Sequence, residues 1–233
     1  MTPGGSTAPF APPYRLDARV GVIAGLWETG SLPALAREVG STPVSIFERP
    51  LGLVMLVDYE RVPEELAVTY REVIAAVIVR QGWRHYLWPF DMVLDHSLPV
   101  DLGQRYYSLP KRLDPSLRVA WQTGARAASN DVEVVAAVSG IAHQLFGYPA
   151  RLGGTLATLL GSRWLFALGT ERRPFRTAQV ALTPRQVGQW CRTGAVQIRG
   201  RSLRPLWSQR FERVEVRLGA PHPVADATTD RER

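Results

Sequence analysis

Leu51-Gly52-Leu53-Val54-Met55-Leu56-Val57-Asp58-Tyr59 is apolar almost without interruption. Its β-branched and aromatic side chains suit a pleated surface better than a helix. Segments of the same character flank it at 44–47, 67–79 and 84–94, with Pro50, Pro63, Gln81-Gly82 and Pro89 between or within them. Strands punctuated by turn residues at short intervals predict an antiparallel sheet. Working outward, 14–29 reads as a strand of mixed burial, and 117–123 with 132–139 as a hairpin around the polar turn 124–131. Further strands are expected at 164–168, 175–182, 195–199 and 211–218.

Helical signals are short. Ser31 is placed to cap a helix over 33–39 that Gly40 stops, and Leu152, Leu156, Leu159 and Leu160 recur at helical spacing within 147–164. Thr183 and Pro184 form the expected start of a third helix that runs to Cys191. The expected fold class is α+β, mainly antiparallel β. With more strands than an open sheet comfortably holds, it is expected to close into a barrel or cone with an internal cavity and a few short helices. One domain covers 14–218, after a flexible lead-in over 1–13 and before a disordered tail over 219–233.

The composition narrows the function classes. Of 233 residues, 45% are hydrophobic and 21% charged, which is a globular balance. One cysteine, Cys191, rules out an internal disulfide, and His85, His96, His143 and His222 lack metal-ligand spacing, so neither a metal nor another cofactor is expected. No apolar run is long enough for a membrane span and no signal peptide is recognisable, so a cytoplasmic protein without membrane contact is expected. The net charge of +7 is concentrated in 151–199, where eight arginines face Glu171 alone. Those arginines lack the aromatic interleaving of a base-stacking surface, so no nucleic-acid partner is expected. They suit a solvated face or, alternatively, contact with an acidic carrier protein. A homo-oligomer is the expected assembly.

The other unusual feature is Lys111, the only lysine among 28 basic residues. Arginine does not lose its proton in a protein, whereas a desolvated lysine can become a neutral amine and attack a carbonyl. Bringing an amine from its reference pKa of about 10.4 to near 7 takes about 4 to 5 kcal/mol of destabilisation of the charged form. Burial can supply this, and the neighbouring cation Arg112 is the candidate for tuning it further. Adjacent side chains of an extended segment point to opposite faces, which would limit the share of Arg112.

Gly103-Gln104-Arg105-Tyr106-Tyr107-Ser108-Leu109-Pro110-Lys111-Arg112-Leu113, preceded by Leu94-Asp95-His96-Ser97-Leu98-Pro99, resembles the acetoacetate decarboxylase superfamily. That family carries a Leu-Asp-x-x-x-Pro segment and then a Pro-Lys-Lys-Leu stretch whose first lysine forms a Schiff base; its lysine beside a second cation is the standard example of an amine activated in this way. Tyr70-Arg71-Glu72-Val73-Ile74 is similar to the family's Tyr-x-Glu motif, and Pro13 to Arg19 to its Pro-Tyr-x-x-x-x-Arg opening. The resemblance runs from about residue 13 to 139.

It implies Lys111 and Glu72 as catalytic residues, Arg112 as the tuning cation, and Arg19 and Tyr70 as substrate-binding residues. Where the family's decarboxylases carry a second glutamate, this chain has Met55 nearby and no acid until Asp58 and Glu60, and its second cation is arginine. The implied function is an enzyme acting on a small keto acid or related carbonyl substrate through a lysine Schiff base, by decarboxylation or by aldol condensation and dehydration. A natural-product (polyketide) cyclase using the cavity without an imine, and a non-catalytic binding protein, are the alternatives.

Overall fold

The computed structural model describes residues 12–28, 42–61, 68–81, 84–107, 109–122, 124–138, 164–166, 176–178, 180–185, 189–220 and 222–223. In chain order the elements are β1 (Tyr14–Trp27), β2 (Thr42–Pro43), β3 (Ser45–Ile46), β4 (Arg49–Arg61), β5 (Tyr70–Gln81), β6 (Arg84–Leu94) and helix α1 (Ser97–Tyr107). Then come β7 (Lys111–Leu113), β8 (Arg118–Ala120), β9 (Gly124–Ala128), β10 (Val132–Val138), β11 (Trp164–Phe166) and β12 (Arg176–Ala178). The last are β13 (Val180–Pro184), β14 (Gln189–Ile198), β15 (Arg201–Leu218) and β16 (His222–Pro223). The main sheet runs β7-β6-β5-β4-β1-β15-β14-β10-β9-β8, and β11, β12 and β16 form a small second sheet. Its described pairs are antiparallel except β6 with β7, which makes the sheet mixed.

Both faces of the central strands are covered. Leu53, Met55, Val57 and Tyr59 of β4 point to one buried cluster and Val54 and Leu56 to another. This is why the opening stretch shows no polar alternation over 53–57: with no wet face there, every position is apolar. On the second face the sheet folds back over itself, so that Ile23, Leu56 and Val73 meet Ala125, Ala127, Val134 and Val196. The approach is close enough that a Cβ on Gly21 would stand 3.1 Å from that of Ala125.

The expected barrel does not close. The end strands β7 and β8 are not paired with each other among the described residues, and the sheet is open. Folding the sheet onto itself and laying α1 over the other face bury the apolar surface that closure would have buried, so no further ladder is required.

Other expectations change for local reasons. Pro184 ends β13 and Gln189 opens β14, where a helix to Cys191 was predicted. Most of the predicted turn 124–131 is strand β9, paired with β10. Its alanines have weak strand propensity, but Ala125 and Ala127 are small enough to lie under β1. The helix among the described residues, α1, falls where no helix was expected. Pro99 sits in the first turn, where its missing N–H has no intrahelical partner to lose, and His96 Nδ1 accepts from the Leu98 N–H at 3.2 Å. The expected helix at 33–39 and all of that at 147–164 except Trp164, which opens β11, lie outside the described residues. No helix among the described residues is long and apolar enough to cross a membrane.

Candidate active site

A cavity lies on the first face of the sheet, bounded by β1, β4, β5, β6, β13, β15 and α1. The space open to the centres of water molecules is about 80 Å³, where about 10–15 Å³ holds one water, so it suits a small molecule. Among the described residues, its wall is hydrophobic apart from four phenols, Tyr14, Tyr59, Tyr70 and Tyr107, and two charges, Glu72 and Lys111.

Lys111 is the first residue of β7 and stands beside Met92 of β6. Its stem lies against the backbone of α1: a Cβ on Gly103 would fall 2.3 Å from Lys111 Cδ and 2.6 Å from Cε. The main chain is held by the amide of Gln104, which donates to the Lys111 carbonyl at 2.7 Å, and by the Met92 N–H, which donates to Pro110 at 3.2 Å. Thus the Gly103-Gln104 step that resembled a family motif supplies both the flat surface and the backbone anchor for the amine.

Glu72 reaches the same point from β5, between Val57 of β4 and Leu94 of β6. Its Oε1 is 3.0 Å from Lys111 Nζ, and the two side chains are 2% and 8% exposed, so water screens the pair little. Oε1 has no hydrogen-bond partner of good geometry, which makes this contact an ion pair with an acceptor position left over. Oε2 accepts from Tyr59 Oη at 3.3 Å. Tyr59 and Tyr70 stand opposite in the β4–β5 register and stack with centroids 4.4 Å apart. Burial first, then the Glu72 carboxylate, pushes both phenols well above their usual value, so both remain proton donors at neutral pH. One strand over, Asp95 accepts from the Arg71 N–H at 2.8 Å, which fixes β5 beside Glu72.

Lys111, Glu72 and Tyr70 therefore meet, while the other two expected residues lie elsewhere. Arg19 alternates with Leu16, Ala18 and Val20, which face the first cluster, and points away to Glu60 at 2.5 Å and Glu212 at 3.8 Å. Arg112 follows Lys111 in an extended strand and so takes the opposite face, with Nε 3.0 Å from Asp91 and Nη1 3.4 Å from Asp131. Sequence reading missed Tyr59, and it singled out Gly103 and Gln104 within a family-like stretch without assigning them a role. Strand alternation contained the signal for Tyr59, since it shares its face with Met55 and Val57. Among the described residues, no group of three His, Cys, Asp or Glu side chains is placed to hold a metal ion.

No family model matches the chain. No curated protein sequence matches it either. Solved structures do. The enduracididine biosynthesis enzyme MppR, in complex with pyruvate, superposes with a TM-score of 0.64 at 12% identity, over 97% of this chain and 95% of MppR. Acetoacetate decarboxylase from Legionella pneumophila gives 0.58 at 13%, over 94% and 89%. An acetoacetate decarboxylase-like enzyme from Sphingomonas wittichii RW1 gives 0.61 at 11%, over 97% and 98%. The chain thus has the fold of acetoacetate decarboxylase and its relatives.

Proposed function

We propose that the chain is an acetoacetate decarboxylase-like enzyme that forms a Schiff base between Lys111 and a small carbonyl compound, a keto acid or a related ketone or aldehyde. The observation that carries this reading is the 3.0 Å approach of Lys111 Nζ to Glu72 Oε1 inside a small, apolar cavity. An amine that must attack a carbonyl first needs somewhere to leave a proton, and Glu72 is within reach. The neutral amine then adds to the carbonyl carbon, and the proton held by Glu72 goes to the carbinolamine oxygen, which departs as water. The resulting iminium draws electrons from the adjacent carbon, and Glu72, a carboxylate again, accompanies that charge. Tyr59 orients Glu72, and Tyr70 offers its hydroxyl to a substrate oxygen.

The MppR complex contains pyruvate, a carbonyl compound small enough for a cavity of this size. Borohydride reduction in the presence of pyruvate, acetoacetate, acetone or propanal, followed by intact mass and peptide mapping, tests the proposal. With a single lysine in the sequence, a reduced lysine adduct can lie only at Lys111. Absence of that adduct across the panel refutes the imine.

A further inference from the structure

Resting on the Schiff-base reading above and narrowing it, we infer that the substrate is uncharged: a ketone or aldehyde with short hydrocarbon arms, whose enamine forms by loss of a proton and not of carbon dioxide. The charges around the cavity carry the inference. Among the described residues that line it, Lys111 is the sole cation and Glu72 the sole anion, and they already face each other at 3.0 Å. When the amine becomes an iminium, one positive and one negative charge remain in contact.

A substrate carboxylate would bring a second anion to this single cation, within a wall of Leu16, Val20, Met55, Ile74 and Met92. Neutral phenols can donate hydrogen bonds to it but cannot balance it. Tyr107 already donates to the Gly219 carbonyl at 3.0 Å, and Tyr59 to Glu72. Among the described residues, the cation that a carboxylate would require is absent from this face. Arg19 is committed to Glu60 and Glu212, and Arg112 to Asp91 and Asp131, on the other side of the sheet.

The chemistry balances without a carboxylate. Lys111 condenses with the carbonyl and water leaves. Glu72 takes a proton from the carbon next to the iminium; the C–H pair becomes the enamine double bond and the C=N π pair returns to nitrogen. The enamine carbon then recovers that proton, or attacks a second carbonyl carbon, whose C=O π pair moves to oxygen and takes the proton from Glu72; water then hydrolyses the iminium and releases the product from Lys111.

The test compares borohydride capture at Lys111 for pentan-2-one and acetoacetate, and for butanal and pyruvate. Each rate is divided by the rate of the same compound with a free alkylamine at the same pH, which removes intrinsic electrophilicity. The uncharged compounds are expected to show an enhancement about 100-fold larger than the keto acids, the scale set by burying an unbalanced charge. A parallel measurement in D₂O follows deuterium entering the positions next to the carbonyl of pentan-2-one, expected in the native chain and lost in Glu72→Gln. Equal or larger enhancement for the keto acids overturns the neutral-substrate inference and leaves the imine standing. No capture of any compound overturns both.

Discussion

Replacing Gly103 by alanine isolates how the helix places the amine. An ideal Cβ at this position would lie 2.3 Å from Lys111 Cδ and 2.6 Å from Cε. Ordinary carbon contacts sit at about 3.5–4.0 Å, so the lysine stem must withdraw by about 1–1.5 Å. Two terms act on stability in opposite directions. Alanine improves the helix by about 1 kcal/mol, and overpacking costs about 1–3 kcal/mol, for a net loss of about 0–2 kcal/mol. The variant should fold. Catalytic geometry is less forgiving: a shift of about 1 Å costs on the order of 100-fold in rate, equal to about 2.7 kcal/mol of barrier. The assay is the rate of borohydride-trapped labelling of Lys111 by acetone or propanal, read by mass, alongside urea unfolding of the same preparation. Labelling about 100-fold slower with little loss of stability is expected. A Gly103→Ala variant that labels at the native rate would refute the claim that this glycine positions the amine.

Two further predictions follow from the charges. Lys111→Met and Glu72→Gln should each destabilise the fold by about 3–5 kcal/mol in urea unfolding, because each leaves the other buried group unmatched, while the double variant loses less than the sum; additive losses would mean the pair is not coupled. Glu215 is held at about 2, against 4.5, by hydrogen bonds first from Arg15 and then from Arg217, with Arg185 adding to them. A carboxyl depressed in the folded state stabilises fully above its unfolded value, and that stabilisation is lost as pH falls through the folded value. Between about pH 5 and 2 the native Tm should therefore fall more steeply than that of Glu215→Gln, and parallel curves would rule the cluster out as a source of acid lability.

The first half of the fold was legible because its strands are long and apolar on both sides. Runs such as 51–59 and 84–94 have few other uses, and both are strand. The parts that misled obey rules that act through tertiary contact. Pro89, named as a turn residue between or within the expected strands, lies inside β6 opposite a register shift at Ala75/Ala76 of β5, and Pro205 lies inside β15 opposite one at Ala24/Gly25 of β1, where the ladder is already irregular. Gly124 to Ala128 read as a turn because no local signal reports that Gly21 on another strand leaves room only for alanine above it. Closure into a barrel was inferred from strand number alone. Strand number does not reveal that the sheet doubles back and covers itself.

For the site, alternation decided more than motif matching. Lys111 and Arg112 are adjacent in sequence, as are Ala18 and Arg19, and in each pair one member faces the first cluster while the other faces the ion pairs behind the sheet. A linear motif counts all four equally, whereas a strand separates them by the thickness of the sheet. Met55, noted near the place of the second glutamate in the resembled decarboxylases, belongs to the same account, since it lines the cavity and adds no charge there. Placing the arginines behind the sheet and methionine in the wall leaves one cation facing one anion. Glu72 is then the only described carboxylate within the cavity, so in the proposed Schiff-base reading one group is assigned both to relieve the amine of its proton and to move protons afterward. Tyr59 and Gly103 matter because they hold the two ends of that single pair: one fixes the carboxylate, and the other lets the amine reach it.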